Sequence, residues 1–206
     1  MINKAPYAKC NDCTLKDGIF VPSETHNSKI LIVVEAPGYH ESVEGKPLVG
    51  VAGQDMNMII ESVGATRENF ATLVNSVSCR PTKIEEGKEH NRTPTEEEIK
   101  CCNDRLAYEI EKYNPSIIIA MGRVPYTALG GTIYSGFKMG DVIGTEFTYK
   151  GKYKVIVTYH PAAITHSGGV TTDRGKAIMD NIKNVFEYAL KIKNVDVQQP
   201  KQLRLF

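Results

Sequence analysis

Polar residues suited to hydrolytic chemistry fall at three places in this chain, and each is tied to an apolar run. Glu35 and Glu41 follow residues 30–34, in a loop punctuated by Pro37, Gly38, Gly45, Pro47, Gly50 and Gly53. Asn75 lies within residues 72–77, just ahead of Ser78-Cys79-Arg80-Pro81. His160 follows residues 154–159 and opens His160-Pro161-Ala162-Ala163. A carboxylate can orient a water or stabilise a developing sugar cation. An amide presents a donor and an acceptor to one base edge. An imidazole near a leaving group donates to the negative charge that forms there. Converging in one cleft, the three suit recognition and hydrolysis of a polar heterocycle. The glycines of the first loop let the backbone approach a ligand closely. Taken singly, Glu41 also reads as a solvated loop carboxylate, Asn75 as a loop tie and His160 as the residue before a rigid Pro turn.

A second set of residues could hold metal. Cys10-x-x-Cys13 has a common ligand spacing, and Cys79, Cys101 and Cys102 offer two further positions. Four thiolates would hold zinc or a [4Fe–4S] cluster, and spacing does not choose between them. The three downstream cysteines also read as small buried hydrophobes.

Positioning these groups requires a sheet. Residues 30–34, 72–77, 116–121 and 154–159 read as buried strands. Helical patterns lie between and after them, over 54–63, 93–113, 124–129 and 172–193. The second of these starts with Thr93 as N-cap, Pro94 at N1 and Glu96 at N3, and Asn114-Pro115 stops it. Residues 146–149 and 153–157 flank Lys150-Gly151-Lys152 as a hairpin, which adds an antiparallel strand. Residues 84–90 read as a charged surface loop. The expected fold is α/β: a three-layer sandwich with a mostly parallel four-stranded central sheet and helices on both faces. Ligands in such sheets bind beyond the carboxyl ends of the strands, where Glu35, Asn75 and His160 fall.

The 206 residues are 41% hydrophobic and 24% charged, enough for one domain with a sizeable core. No run is long enough to span a bilayer, and residues 1–6 hold no secretory apolar region. The expected location is therefore cytoplasmic, where disulfides are not expected. A net charge of +1 gives no bulk argument for a polyanion partner.

Four strings in order resemble the iron–sulfur uracil-DNA glycosylases, family 4 of their superfamily. The first is Glu35-Ala36-Pro37-Gly38, continued through Glu41 to Gly45-Lys46-Pro47-Leu48-Val49-Gly50. The second, Val74-Asn75-Ser76-Val77-Ser78-Cys79-Arg80-Pro81, is similar to the family's T-N-V-V-K-C-R-P. Asn91-Arg92-Thr93-Pro94 and His160-Pro161-Ala162-Ala163 complete the set. The resemblance covers roughly residues 6–190 and implies excision of uracil from DNA to leave an abasic site. It assigns the base-reading amide to Asn75, the water-associated carboxylate to Glu41 and the motif-three histidine to His160. Glu35, Ala36 and Gly38 would shape the pocket floor, and Cys10, Cys13, Cys79 and Cys102 would ligate a [4Fe–4S] cluster, with Cys101 a packed neighbour. Ile164 is the candidate wedge for the vacated base stack, and reads equally well as an inward-packing core residue.

Two positions depart from the family pattern. Leu48 stands where the family has a Phe that stacks on the base, and Val34 where it has Gly. Leu48 motivates an alternative: a repurposed member that binds DNA or acts on a modified pyrimidine without efficient uracil excision. A third reading is a zinc-stapled nucleotide-binding protein. Residues 1–193 form the expected domain, and 194–206 a flexible tail. Gln202-Leu203-Arg204-Leu205-Phe206 resembles the peptide by which bacterial replication proteins dock on the sliding clamp. The expected protein is a monomer, nucleoid-associated through its DNA.

Overall fold

Ile and Val runs that are buried on both sides build the centre of the molecule. The computed structural model describes residues 4–198. Strand β1 (Ile30–Val34) is buried at every position. It is followed by helices α1 (Tyr39–Glu44), α2 (Val51–Ser62) and α3 (Arg67–Phe70), then by β2 (Thr72–Asn75). A hairpin of β3 (Thr82–Glu85) and β4 (Lys88–Asn91) leads to α4 (Glu96–Tyr113). Next come β5 (Ile117–Met121), α5 (Arg123–Ala128), β6 (Glu146–Tyr149) and β7 (Tyr153–Thr158). Helices α6 (Ala162–His166) and α7 (Asp173–Gln198) finish the described chain.

The central sheet has five strands in the order β2-β1-β5-β7-β6. Four run parallel, and β6 pairs antiparallel with β7 at the edge. The expected sheet thus gains the hairpin strand as a full member. Alternation along β1 divides the core. Ile30, Ile32 and Val34 face the layer of α2, α6 and α7, where Met56, Ile59, Ile182 and Phe186 pack. Leu31 and Val33 face the layer of α4 and α5, with Leu106, Ile110 and Val124. Each fully buried side chain of this size contributes about 1.5–3 kcal/mol. Strand order reverses at β1, because β2 lies on one side and β5 on the other. The crevice beyond such a switch point is where open α/β sheets bind ligands.

Several expectations change. Residues 82–91 form an antiparallel hairpin, not a loop. Its strands are exposed almost throughout, so no buried face imposed an alternating pattern on them. The N-cap of α4 is Thr95, with Glu98 at N3, two residues beyond the expected box. Glu98 wins because its carboxylate also accepts from Thr14 and Arg92. Helix α7 continues to Gln198, so residues 194–198 of the expected linker are helical. Residues 202–206, with Gln202, Leu203, Leu205 and Phe206, lie outside the described residues.

Candidate active site

The carboxyl ends of β1, β2 and β7 open into one cavity of about 490 Å³. Glu35, Ala36, Gly38, Glu41, Leu48, Asn75 and His160 all line it. Every residue expected in the base pocket is therefore brought together. Val34, Ala52, Asn91, Arg92, Thr93 and His166 are among the other residues of its wall.

Asn75 ends β2, in register with Val34. It is almost fully buried, and its Nδ2 has no hydrogen-bond partner. A buried donor left unpaired costs about 1–3 kcal/mol. Its backbone is held from behind by Arg105 of α4, whose guanidinium donates to the carbonyls of Asn75 and Ser76. Arg105 is itself buried and ion-paired to Glu109.

Glu41 sits at N3 of α1, and its carboxylate returns to the start of that helix. Oε2 accepts from Gly38 N at 3.0 Å, and Oε1 from Val49 N and Gly50 N, both at 2.9 Å. Burial pushes its pKa up, but these backbone donors outweigh it and hold the carboxyl below its ordinary value. With three of about four acceptor sites filled, one remains for a water. Glu35 differs: burial raises its pKa, tempered by Thr93.

His160 follows β7. Its Nδ1 accepts from Ala162 N at 3.2 Å, so the ring carries its proton on Nε2. Burial pushes its pKa down to about 4, against the pull of Glu41 and with a push from His166. It is a neutral donor at pH 7. The chain at β5's end passes directly behind it: Gly122 has φ 96°, and a Cβ there would stand 3.3 Å from the His160 Cβ.

Leu48 forms an apolar wall and adopts φ 50°, a left-handed conformation that costs a non-Gly residue roughly 1–2 kcal/mol. Gly53 lets α2 press onto this turn, since a Cβ there would sit 1.9 Å from the Leu48 carbonyl oxygen. Ile164 is not at the cavity. It is 1% exposed and packs in the core with the α7 layer, because the single turn of α6 rolls it inward. His166, at the exposed end of the same helix, lines the cavity instead.

Comparison with known proteins agrees with this geometry. The model of the uracil DNA glycosylase superfamily matches residues 22–180. The chain belongs to the uracil DNA glycosylase superfamily. Relatives within it are named type-4 uracil-DNA glycosylases. That of Saccharolobus solfataricus is 37% identical over 169 residues, 77% of this chain and 74% of that protein. Those of Sulfurisphaera tokodaii and Archaeoglobus fulgidus are 31% and 35% identical, over 86% and 68% of this chain and 78% and 68% of theirs. The superfamily match includes Glu35 through His166 but begins after Cys10 and Cys13.

Those cysteines line a second, apolar cavity beside Ala8, Leu15 and Val77, together with Cys79, Cys101 and Cys102. All five thiols are free. The cavity measures about 20 Å³, and among the described residues no three metal-binding side chains converge as a single-ion site. Burial, reinforced by the nearby Cys102, Cys10 and Cys13, pushes the Cys79 thiol up to about 11. Lys4 Nζ lies 3.7 Å from the Cys79 sulfur, and Arg105 stands beside Cys102.

Sequence reasoning missed Arg67, Glu24, Arg105 and His166. Only His166 carried a usable signal, its place six residues after His160 in a one-turn helix.

Proposed function

We propose that this protein is a DNA-repair enzyme that hydrolyses the N-glycosidic bond of deoxyuridine in DNA and leaves an abasic site. The observation that carries this reading is the buried, unpartnered Nδ2 of Asn75 at the cavity wall. Its donor suits the O4 acceptor of uracil and finds only another donor, N4–H₂, on cytosine. The base must leave the stack to reach it. The bond between the sugar carbon and the base nitrogen breaks with its electron pair leaving on uracil. His160 Nε2–H donates to the uracil oxygen that gains charge. Water then bonds to the sugar carbon and yields its proton to Glu41, which holds that water at its free acceptor site. Such repair takes place where the DNA is, in the cytoplasm at the nucleoid; no helix among the described residues is long and apolar enough to cross a membrane.

The thiol cavity and the motif resemblance support a [4Fe–4S] cluster held by Cys10, Cys13, Cys79 and Cys102. The donor set fits: four thiols around an apolar void, with the cations Lys4 and Arg105 beside two of them. When bound, the group ties the N-terminal segment to α4 rather than taking part in hydrolysis. Iron protein absorbs broadly near ~400 nm, whereas zinc protein is colourless.

The test is a uracil-containing oligonucleotide incubated with protein and cleaved by alkali. Strand cleavage at uracil is expected, with Asn75→Ala reducing kcat/KM at least ~100-fold. Absence of cleavage by metal-loaded protein would sink the proposal. A second reading has its own observation: no Phe, Tyr or Trp lines the cavity among the described residues. An aliphatic wall at Leu48 would favour a modified pyrimidine, which tight binding of such DNA without uracil excision would reveal. For the tail, the proposed partner is the replication sliding clamp; loss of clamp binding on deleting residues 202–206, with excision unchanged, is the expected result.

A further inference from the structure

Arg67, the first residue of α3, lies outside every motif of the site, yet its side chain reaches the cavity loop. Nε and Nη2 grip the Glu24 carboxylate at 2.9 and 2.8 Å. Nη1 donates to the Leu48 carbonyl at 2.9 Å and to Asn57 Oδ1 at 3.1 Å, and Nη2 donates to the Pro47 carbonyl. Both partners of the ion pair are largely buried, with side chains 13% and 15% exposed. His26 Nε2 meets Glu24 Oε1, the oxygen that Arg67 Nε also bonds, at 2.9 Å.

The two carbonyls that Arg67 takes belong to the turn that carries the site. Leu48 lines the cavity in its left-handed conformation. The next two N–H groups, of Val49 and Gly50, hold Glu41. The loop is thus fixed through its carbonyls on one side and its amides on the other. A strained turn of this kind persists only where its surroundings over-determine it.

We propose that Arg67, oriented by Glu24, is the positioning residue of this pocket: it holds residues 47–50 so that Leu48 walls the base site and Val49 and Gly50 N–H face Glu41. The proposal rests on the reading that this cavity excises uracil. A planar guanidinium meets a carboxylate and two carbonyls at once; a lysine ammonium, a single point on a flexible stem, does not. A merely structural ion pair would lower thermal stability and leave the chemistry alone.

The experiment uses the full-length, metal-loaded chain as Arg67→Lys and Arg67→Ala. Ile110→Val, in the opposite core layer, serves as a control for lost stability. Readouts are kcat and KM on a uracil oligonucleotide, and amide hydrogen exchange at Val49 and Gly50. Arg67→Lys is expected to lower kcat at least ~10-fold with KM for DNA within about threefold, and to speed exchange at both amides. Ile110→Val should change neither. Added methylguanidinium should restore several-fold activity to Arg67→Ala. Unchanged kcat and unchanged exchange in both Arg67 variants would overturn the proposal. If wild-type protein excises nothing, the excision reading fails on its own, and the exchange at Val49 and Gly50 still decides whether Arg67 positions residues 47–50.

Discussion

His160 and Leu48 set the site's chemistry at the scale of single residues, and each makes a measurable demand. With its pKa pushed down to about 4 by burial, His160 donates as a neutral ring. Glu41 is also held below its ordinary value by backbone donors. Both groups therefore keep their working states as pH falls from 8 to about 5. The expected kcat/KM is flat over that range and declines only toward pH 4. A histidine acting as a cation would instead gain activity below its ordinary value near 6.5, and a rise there would contradict the neutral assignment. Leu48 presents an aliphatic face where a ring would stack. Base–aromatic stacking is worth about 1–3 kcal/mol. Leu48→Phe should tighten free uracil as a competitive inhibitor roughly tenfold, read from its inhibition constant; no change would mean that Leu48 does not touch the base.

At the scale of elements, the parallel strands were legible because burial on both faces turns them into continuous apolar runs. Glu35, Asn75 and His160 could be placed in one cleft from the sequence because each sits at a carboxyl end of such a run. What escaped notice was held by charged side chains that reach across the fold. Arg67 and Arg105 resemble surface residues on helices, and their bonds to backbone carbonyls of distant segments leave no periodic trace. Ile164 was open to two readings for a related reason: proximity to a motif says nothing about which way one helical turn faces, and burial decides for the inward one. Glu98 shows the same kind of hidden tie. It closes the cap of α4, accepts Thr14 from beside Cys13, and pairs with Arg92 at the cavity. Arg92 foremost, then Thr14 and the Thr95 backbone, outweigh burial and hold its pKa at about 2 instead of 4.5. A carboxyl depressed in the folded state stabilises fully above its unfolded value and loses that contribution as pH falls through the folded one. Stability on the order of 3 kcal/mol should thus be lost between about pH 4.5 and 2. Glu98→Gln should remove a similar amount at pH 7 and flatten that part of the acid-unfolding curve; an unchanged curve would place the dependence elsewhere.

The described residues form a buried sheet with an N-terminal segment wrapped against α4, to which Lys9 N–H and Thr14 bond. The turn Cys10–Asp12 contains no buried residue, and the Lys9–Asp104 pair is exposed on both sides. Exposed pairs contribute little, because water and salt screen them. Apolar burial in this stretch comes from Ala5, Ala8 and the partly buried Leu15, until Val21 docks beside Ser78. Thr14 bonded to Glu98 and Lys9 N–H donating to the Cys101 carbonyl tie the segment to α4, and the proposed metal group would add a tie through Cys10 and Cys13, while the body keeps both of its core layers. Removing the proposed metal group with a chelator should release residues 4–20 to protease while the body, including α4, α7 and the central sheet, stays resistant. Mass spectrometry of the fragments, set against iron content, reads this directly. Arg105 gives the release a reach into the pocket, since it lies beside Cys102 and holds the Asn75 carbonyl. Chelation should for that reason also weaken uracil binding, and Cys10→Ala/Cys13→Ala should reproduce both effects. Cleavage scattered across the body, or an N-terminal segment equally resistant with and without metal, would show that the thiols are not its staple.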